Sequence, residues 1–358
     1  MDVERIDTLE EFDAERERWE ALERLDPHAM LFTSWKWLRS YFPVSRLRWS
    51  VLVARDRGEA VAYLPIARNR SPLDRELYLG GNPAADYTGM IAHPDRAEAA
   101  IGAFADALIA EPWDGFNAED VADPNLDTLV RRLAARGTPI TATAETKCLS
   151  CELPDSWETY ITKCISAKTR VNMVRVERRL AEALPDFRIS EPTDEDVDAH
   201  IDAMIVVNHS RQGGNLANAR RRYGRMFRNA YDHGILRLMI YWDGERPVAG
   251  GAAFTDRERG WFGLYMIGFD EAYDKLSPGK GIVGRAIRTA IESGYTRFDF
   301  MRGAEDYKAR YARDLLVTRH YRLRRPGLRA AAIERARPLM LSAKLALASL
   351  VYGPGREP

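Results

Sequence analysis

The sequence predicts a mixed α/β protein made of two domains that share one order of elements. Stretches with strand alternation and stretches with helical periodicity follow one another along the chain. Each half holds a hairpin, a third strand, a helix, a fourth strand and a further helix. At 358 residues the chain is longer than one hydrophobic core fills comfortably.

In the first half, Leu9, Phe12, Trp19 and Leu22 recur at helical spacing and predict a helix from Thr8 to Arg24. Trp49 to Arg55 alternates, Arg57-Gly58 turns, and Ala60 to Ala67 returns, which makes a hairpin. Glu76 to Leu79 and Tyr87 to Ala92 are short strands around the turn Gly80 to Pro83. Helices are expected at Arg96 to Ala110 and, after Asp123-Pro124, at Asn125 to Arg136. Gly115 to Val121 and Ile140 to Leu153 are strand-like. The turn residues Pro154 to Ser156 place the boundary, so the first domain is residues 1–154.

The second half, residues 155–326, opens with a long basic helix from Trp157 to Leu184, stopped by Pro185. Phe187 to Ser190 is a short strand. Thr193 to His209 is a helix whose acidic first turn suits the positive end of its dipole. Asn218 to His233 is a helix stopped by Gly234. Ile235 to Trp242 and Pro247 to Phe254 form a hairpin through the Asp243-Gly244 turn. Trp261 to Phe269 is the third strand, Gly281 to Ser293 a helix, and Arg297 to Phe300 a buried strand. Residues 327–358 read as a basic, apolar helical tail, suited to packing or to a homodimer contact.

Composition narrows the class. With 46% hydrophobic and 30% charged residues the chain is neither disordered nor fibrous. Three cysteines make no disulfide framework and fit a reducing compartment. The acidic Met1 to Trp19 segment has no apolar stretch of a secretion signal, and the apolar run Leu339 to Val351 is too short to span a bilayer. A cytoplasmic protein without membrane insertion is expected. The zero net charge hides an asymmetry: residues 1–160 hold 18 basic and 29 acidic side chains, the remainder 35 basic and 24 acidic. A basic second half either attracts the first or holds a polyanion.

Several segments carry candidate chemistry. Gly279, Lys280 and Gly281 open a helix after a strand, where backbone N–H groups and a lysine form an anion site. Asp299 to Lys308 begins at a strand end, where ligands bind in mixed sheets, and is expected to run into a helix. Within it, Asp299 and Arg302 either pair with each other or face a substrate. Tyr307 and Lys308 offer a phenol and a cation to developing negative charge. Asp86 and Tyr87 follow a turn in the first half, and Asp86 is the first candidate base. His209 is the second, and it leads into the polar stretch Ser210 to Asn215 that includes Arg211. Trp35, Trp37, Tyr87, Trp261 and Tyr265 either pack in a core or line a pocket. Cys148-Leu-Ser-Cys151 lacks the partner ligands of a zinc site, so no metal is expected.

These segments, taken in order, resemble the CelD/BcsL-type branch of the GNAT acyltransferase superfamily, related to the Fem aminoacyl transferases. The resemblance rests on Phe32 to Leu38, Val61 to Ala67, Leu79-Gly-Gly81 leading to Asp86-Tyr87, and Lys168 to Asn172. It continues through Leu238 to Phe254, Gly268-Phe-Asp270, Ser277-Pro-Gly279, and Phe298 to Gly303 with Tyr307-Lys308. It implies tandem GNAT-like domains with a cleft between them. It also implies transfer of an acyl group from acyl-CoA, such as acetyl-CoA, to an amine of a small molecule or amino sugar. By the same resemblance Gly279, Lys280 and Gly281 hold the donor pyrophosphate, with Tyr265 on the strand beside the pantetheine arm. Tyr307 protonates the leaving thiolate and Lys308 stabilises the transition state. Tyr87, Arg211, Asp299 and Arg302 are then candidates for contacting the acceptor. Leu276 stands where the family's loop carries Arg or Gln. An aminoacyl-tRNA or a carrier-protein thioester is therefore the alternative donor.

Overall fold

The computed structural model describes residues 1–70, 75–212 and 215–327, without the side chains of Arg211 and Gln212. The chain divides into two units. One is Met1–Thr146 with the returning segment from Val317, and the other is Lys147–Leu316. The expected cuts at 154 and 326 are thus displaced, because a strand begins in the first unit and ends in the second. The return segment in turn is a strand of the first sheet. Of the expected tail, residues 328–358 lie outside the described residues.

The first unit runs β1 (Asp2–Ile6), α1 (Leu9–Ala14), α2 (Arg16–Leu25), α3 (Trp35–Tyr41), β2 (Arg48–Asp56), β3 (Glu59–Arg68), β4 (Glu76–Leu79) and β5 (Ile91–Ala92). It continues with α4 (Ala97–Ala110), β6 (Gly115–Val121), α5 (Pro124–Ala135) and the start of β7 (Ile140–Glu152). The second unit holds the end of β7, α6 (Trp157–Thr159), α7 (Ala167–Ala183), β8 (Phe187–Ser190), α8 (Val197–Gln212) and α9 (Leu216–Asp232). It continues with β9 (Leu236–Asp243), β10 (Arg246–Asp256), β11 (Trp261–Phe269), α10 (Pro278–Glu292) and β12 (Arg297–Arg302). The last strand, β13 (Asp314–Arg324), starts there and ends in the first unit.

Local chemistry explains the departures from expectation. The single helix expected over Thr8 to Arg24 breaks at Glu15, whose carboxylate turns inward. It accepts from Tyr63 Oη at 2.7 Å and from Arg55 Nη2 at 2.7 Å. Burial pushes this carboxyl up, but the hydrogen bonds from Tyr63 and Arg55 outweigh it and hold it below the usual range. The long helix expected from Trp157 breaks at Ile165, a buried residue with extended backbone. Ser166 then starts α7 afresh by accepting from Thr169 N. The helix expected after Phe300 is only a short turn, Lys308–Arg310. Sequence periodicity did not reveal β1 and β13, both rich in charged residues.

The first unit's sheet has the order β1-β2-β3-β4-β6-β13-β7, with β5 beside β3. The pair β4 and β6 is parallel and β13 lies antiparallel to β6. The second unit's sheet has the order β7-β12-β11-β10-β9-β8. Here β11 and β12 are the parallel pair and β7 lies antiparallel to β12. Both units therefore use one plan: hairpin, third strand, crossover helix, parallel fourth strand, then an antiparallel strand beside it.

Helices cover both faces of the second sheet. A side chain at Gly250 would meet Met204 and Val207 of α8, and one at neighbouring Gly251 would meet Ile282 of α10. Successive residues of a strand point to opposite faces, so α8 and α10 lie on opposite sides. Ile282, Val283, Ala286, Ile287 and Ala290 bury the α10 face. Each of the larger ones contributes about 1.5–3 kcal/mol by leaving water. In the first unit the core gathers β3, β4 and β6 against α4 and α5, around Leu64, Ile66, Phe104, Phe116 and Leu129. Among the described residues, no helix is long and apolar enough to cross a membrane.

Asp123 caps α5, accepting from Asn125 N at 2.8 Å, and it also accepts from Met90 N at 2.8 Å. It is almost fully buried, and burial pushes its carboxyl up to about 6. A raised acid in the folded state keeps its proton to higher pH than the unfolded chain does. Its contribution to stability is therefore complete below about pH 4 and is lost as pH rises towards 6, by about 3 kcal/mol. Urea unfolding at pH 4, 5 and 6 should show this decline in the wild type, and Asp123→Asn should flatten it.

Candidate active site

The site grows from the place where two parallel strands part. β11 and β12 pair only over Trp261↔Arg297, Phe262↔Phe298 and Gly263↔Asp299. Beyond that point each strand is irregular. On β11 the register to β10 slips between Leu264 and Met266, which leaves Tyr265 as the extra residue of a bulge. On β12 the register to β7 slips between Asp299 and Arg302, and Met301 there takes φ 61°. A left-handed backbone at a non-glycine residue is costly and persists only where its surroundings hold it.

Asp299 does the holding. Its carboxylate is 5% exposed, and Oδ1 accepts from Met301 N at 2.7 Å. Oδ2 accepts from Trp261 Nε1 at 3.1 Å. The Trp261 ring lies across Gly263, where a side-chain carbon would come within 2.1 Å of the indole and 2.7 Å of Met301 Sδ. Gly263 is therefore required by close approach. The Asp299 carboxylate thus braces the place where the strands part.

The loop after β12 is closed by Lys308. The side chain is buried, and its Nζ donates to Arg302 O at 2.7 Å and Gly303 O at 3.0 Å. It also pairs with Glu305 Oε2 at 2.7 Å. A lysine has three donors, and all three are engaged here. The ammonium expected at a transition state thus serves first to shape the loop. Tyr307, one residue earlier, is 37% exposed and meets Phe300 edge-on at 6.4 Å. Arg302 is exposed at the end of β12.

Downstream of β11, the short turn Glu271–Leu276 leads to Ser277, which has φ 57° and precedes Pro278 at the first position of α10. The Ser277 side chain makes no capping bond, whereas α7 and α9 are capped by Ser166 and Asn215. The first N–H groups of α10 thus carry the positive end of a 15-residue helix without a side-chain cap. Lys280 beside them is exposed, and Gly279 lies against Phe269, 3.1 Å from where its side chain would begin. Gly281 has a different reason. A side chain there would come within 2.9 Å of both Tyr241 and Val176, so this glycine lets α10 seat on α7 and β9.

Against models of protein families, residues 167–309 match the acetyltransferase (GNAT) domain. Residues 167–309 are thus a GNAT acetyltransferase domain. No curated protein sequence matches it. Its fold is similar to that of FemX, at 10% identity and TM-score 0.57, over 89% of this chain and 96% of that one. It is also similar to the C-terminal domain (DUF2156) of a putative lysylphosphatidylglycerol synthetase from Agrobacterium fabrum. There the identity is 11% and the TM-score 0.56, over 97% of this chain and 100% of that one. L-PGS from Bacillus licheniformis shares the fold at 13% identity and TM-score 0.55, over 90% and 96% of the two chains.

The GNAT domain lies within the second unit and includes the bulge, the left-handed Met301, Ser277 and the closing Lys308. Tyr265 leans on Phe254 at 4.8 Å. His209 is half-buried on α8, next to Asn208, whose amide donates to Ile267 O at 3.2 Å. The α8 backbone at Asn208 crosses so near Gly268 that a side chain there would come within 2.3 Å of it. That places His209 at the open end of β11. The side chain of Arg211 lies outside the described residues.

Asp86 and Tyr87 belong to the first unit, and both are buried. Tyr87 meets Phe32 edge-on at 6.0 Å. The first unit repeats the strand divergence and fills it. β4 and β6 pair only over Glu76↔Gly115 to Tyr78↔Asn117, and Asp120 takes φ 54°. Thr88, following Asp86-Tyr87, then bridges in parallel to Val121. Thr88 N donates to Asp120 O at 2.8 Å, its hydroxyl donates to Glu119 O at 2.6 Å, and Ala122 N donates back to Thr88 O at 3.2 Å.

Trp261 was legible only as an aromatic that could pack or line a pocket. Ser277 and Met301 gave no sequence signal, since nothing in a serine or methionine announces a positive φ. Among the described residues, no group of three or more His, Cys, Asp or Glu side chains is placed to hold a metal ion. The packing role of Gly281 can be checked directly. Gly281→Ala should cost about 1–3 kcal/mol by overpacking and lower the melting temperature. Gly279→Ala, with its nearest neighbour at 3.1 Å, should cost less.

Proposed function

We propose that this GNAT domain moves an acyl group from acyl-CoA, such as acetyl-CoA, to an amine of a small molecule or amino sugar. The observation that carries the reading is the bulge at Tyr265 beside the end of the β11–β12 pairing, followed by the uncapped start of α10. A parted parallel pair leaves a slot for an extended arm with amide groups to join the sheet edge. The α10 N-terminus with Lys280 suits the donor's pyrophosphate. The extra residue of the bulge leaves the ladder there and can turn a backbone N–H towards the thioester oxygen.

In the proposed reaction the amine attacks the thioester carbonyl directly. A C–N bond forms, the tetrahedral oxyanion rests on backbone N–H groups, and the C–S bond then breaks. His209, at the open end of β11, takes the amine proton. Asp86, a buried carboxylate of the first unit, is the other candidate for that role. Tyr307 gives a proton to the leaving thiolate. Lys308 holds the carbonyls of Arg302 and Gly303, so that the Tyr307 loop keeps its shape. Tyr87, Arg211 and Arg302 are candidates for acceptor contacts.

A second reading takes aminoacyl-tRNA as donor, and a carrier-protein thioester would make similar demands. It is favoured by exposed cations on two helices: Lys168, Arg175 and Arg178 on α7, and Arg221, Arg222 and Arg225 on α9. The fold likeness to FemX agrees with it. Salt separates the two readings. Binding that releases many counterions weakens steeply with salt, and a CoA-sized anion shows a shallow slope.

Isothermal titration with acetyl-CoA and longer acyl-CoAs should show saturable binding, weakened about tenfold or more in Lys280→Glu. Absence of binding to any acyl-CoA, with tight and salt-sensitive binding of charged tRNA, would overturn the first reading in favour of the second. Tyr307→Phe should lower kcat by about 100-fold or more with donor affinity unchanged. An unchanged kcat would remove Tyr307 from the mechanism.

A further inference from the structure

The Cys148-Leu-Ser-Cys151 pair is left over from the function. On β7, Cys148 lies opposite Arg302 and Cys151 opposite Phe298. Residues three apart on a strand point to opposite faces, so these two thiols do not face each other. Cys148 is buried. Cys151 instead lines a pocket of about 410 Å³ on the second unit, together with Tyr160, Lys163, Cys164, Arg313 and Asp314. Cys164 ends a single π turn, Tyr160–Cys164, and is exposed. Such turns are rare and often sit at functional positions. The floor of the pocket is firm: Tyr160 is fully buried and its hydroxyl donates to Tyr311 O at 3.2 Å. Both thiols thus line one pocket beside Tyr160.

We propose that Cys151 and Cys164 form a dithiol modification site. A two-electron oxidant such as hydrogen peroxide converts it to a disulfide that ties the entry of α7 to β7. The Cys164 thiolate attacks one peroxide oxygen, the O–O bond breaks, and hydroxide leaves to become water. Cys164 is then a sulfenic acid. The Cys151 sulfur attacks the Cys164 sulfur, loses its proton, and displaces hydroxide as a second water. Two thiols and one peroxide become one disulfide and two waters, with two electrons passing to the peroxide.

The surroundings assign the order of events. Cys164 is the accessible thiol and meets the oxidant first. Burial, Asp314 and Asp299 hold Cys151 as the protonated thiol, pushed up to about 12, with Arg297 opposing. The cations Lys163 and Arg313 and the carboxylate of Glu152 also line the pocket. Cys151 therefore acts second, as the resolving thiol, and the sulfenic acid at Cys164 lives long enough to be trapped.

The test uses the full chain. It is treated with hydrogen peroxide, blocked with N-ethylmaleimide and digested without reductant, and the peptides are mapped by mass spectrometry. The expected result is a Cys151–Cys164 linked pair, two of the three thiols lost, and both regained with dithiothreitol. Dimedone added during oxidation should label Cys164 and suppress the link. Cys164→Ser, a change at an exposed position, should abolish it and leave Cys151 alkylated. Cys164 recovered only as sulfinic acid or in an intermolecular bridge, or a Cys148–Cys151 link, would overturn the proposal. The mapping needs no transferase activity, so its outcome is independent of the donor.

Discussion

One buried carboxylate sets the geometry at the end of the β11–β12 pairing in the second unit. Asp299 accepts from the Trp261 indole with one oxygen and from the Met301 amide with the other. The first bond fixes an aromatic ring across β11, and the second holds β12 in a left-handed step. Both bonds sit where the parallel pairing ends, next to the bulge at Tyr265. A parallel sheet normally satisfies its backbone groups through its neighbours. Here the pairing of β11 with β12 ends at Gly263 and Asp299, and the strained Met301 just beyond is held by the Asp299 carboxylate.

The same device appears in both units with opposite outcomes. In the first, the strained residue is Asp120, and the gap beyond the β4–β6 pairing is closed by Thr88 of the same chain. In the second, α10 begins beyond the gap without a side-chain cap. Duplication of the plan is therefore a matter of backbone geometry. Asp120 and Met301 have nothing in common as side chains, which is why residue comparison between the halves shows no repeat.

Charge in the site loop is spent largely within the loop. Lys308 uses its donors on two carbonyls and a carboxylate, and Asp299 uses its oxygens on an indole and an amide. A buried charge must be paired and hydrogen-bonded to be tolerated, so such groups tend to fix structure. The groups of this region that keep contact with solvent are Tyr307, Lys280 and the half-buried His209. The glycines divide in a similar way, with Gly279 beside the helix start and Gly281 serving helix packing.

The sequence by itself determined the mixed α/β class, the paired hairpins, β4, β6 and β11 to the residue, and a helix over Gly281 to Ser293, which the structure starts three residues earlier at Pro278. Periodicity and turn residues are local, so they survive without a three-dimensional context. The resemblance added the family, and the match over residues 167–309 bears it out. Tertiary structure alone decided that β7 and β13 each begin in one unit and end in the other, since a strand's local pattern does not say which strands it pairs with. It also decided that Asp299 and Lys308 fix the loop, that Gly281 is a packing glycine, and that Cys151 shares a pocket with Cys164 and not with Cys148. Each of these depends on which atoms meet across residues distant in sequence. A residue's type limits the bonds it can make, and the fold chooses its partners.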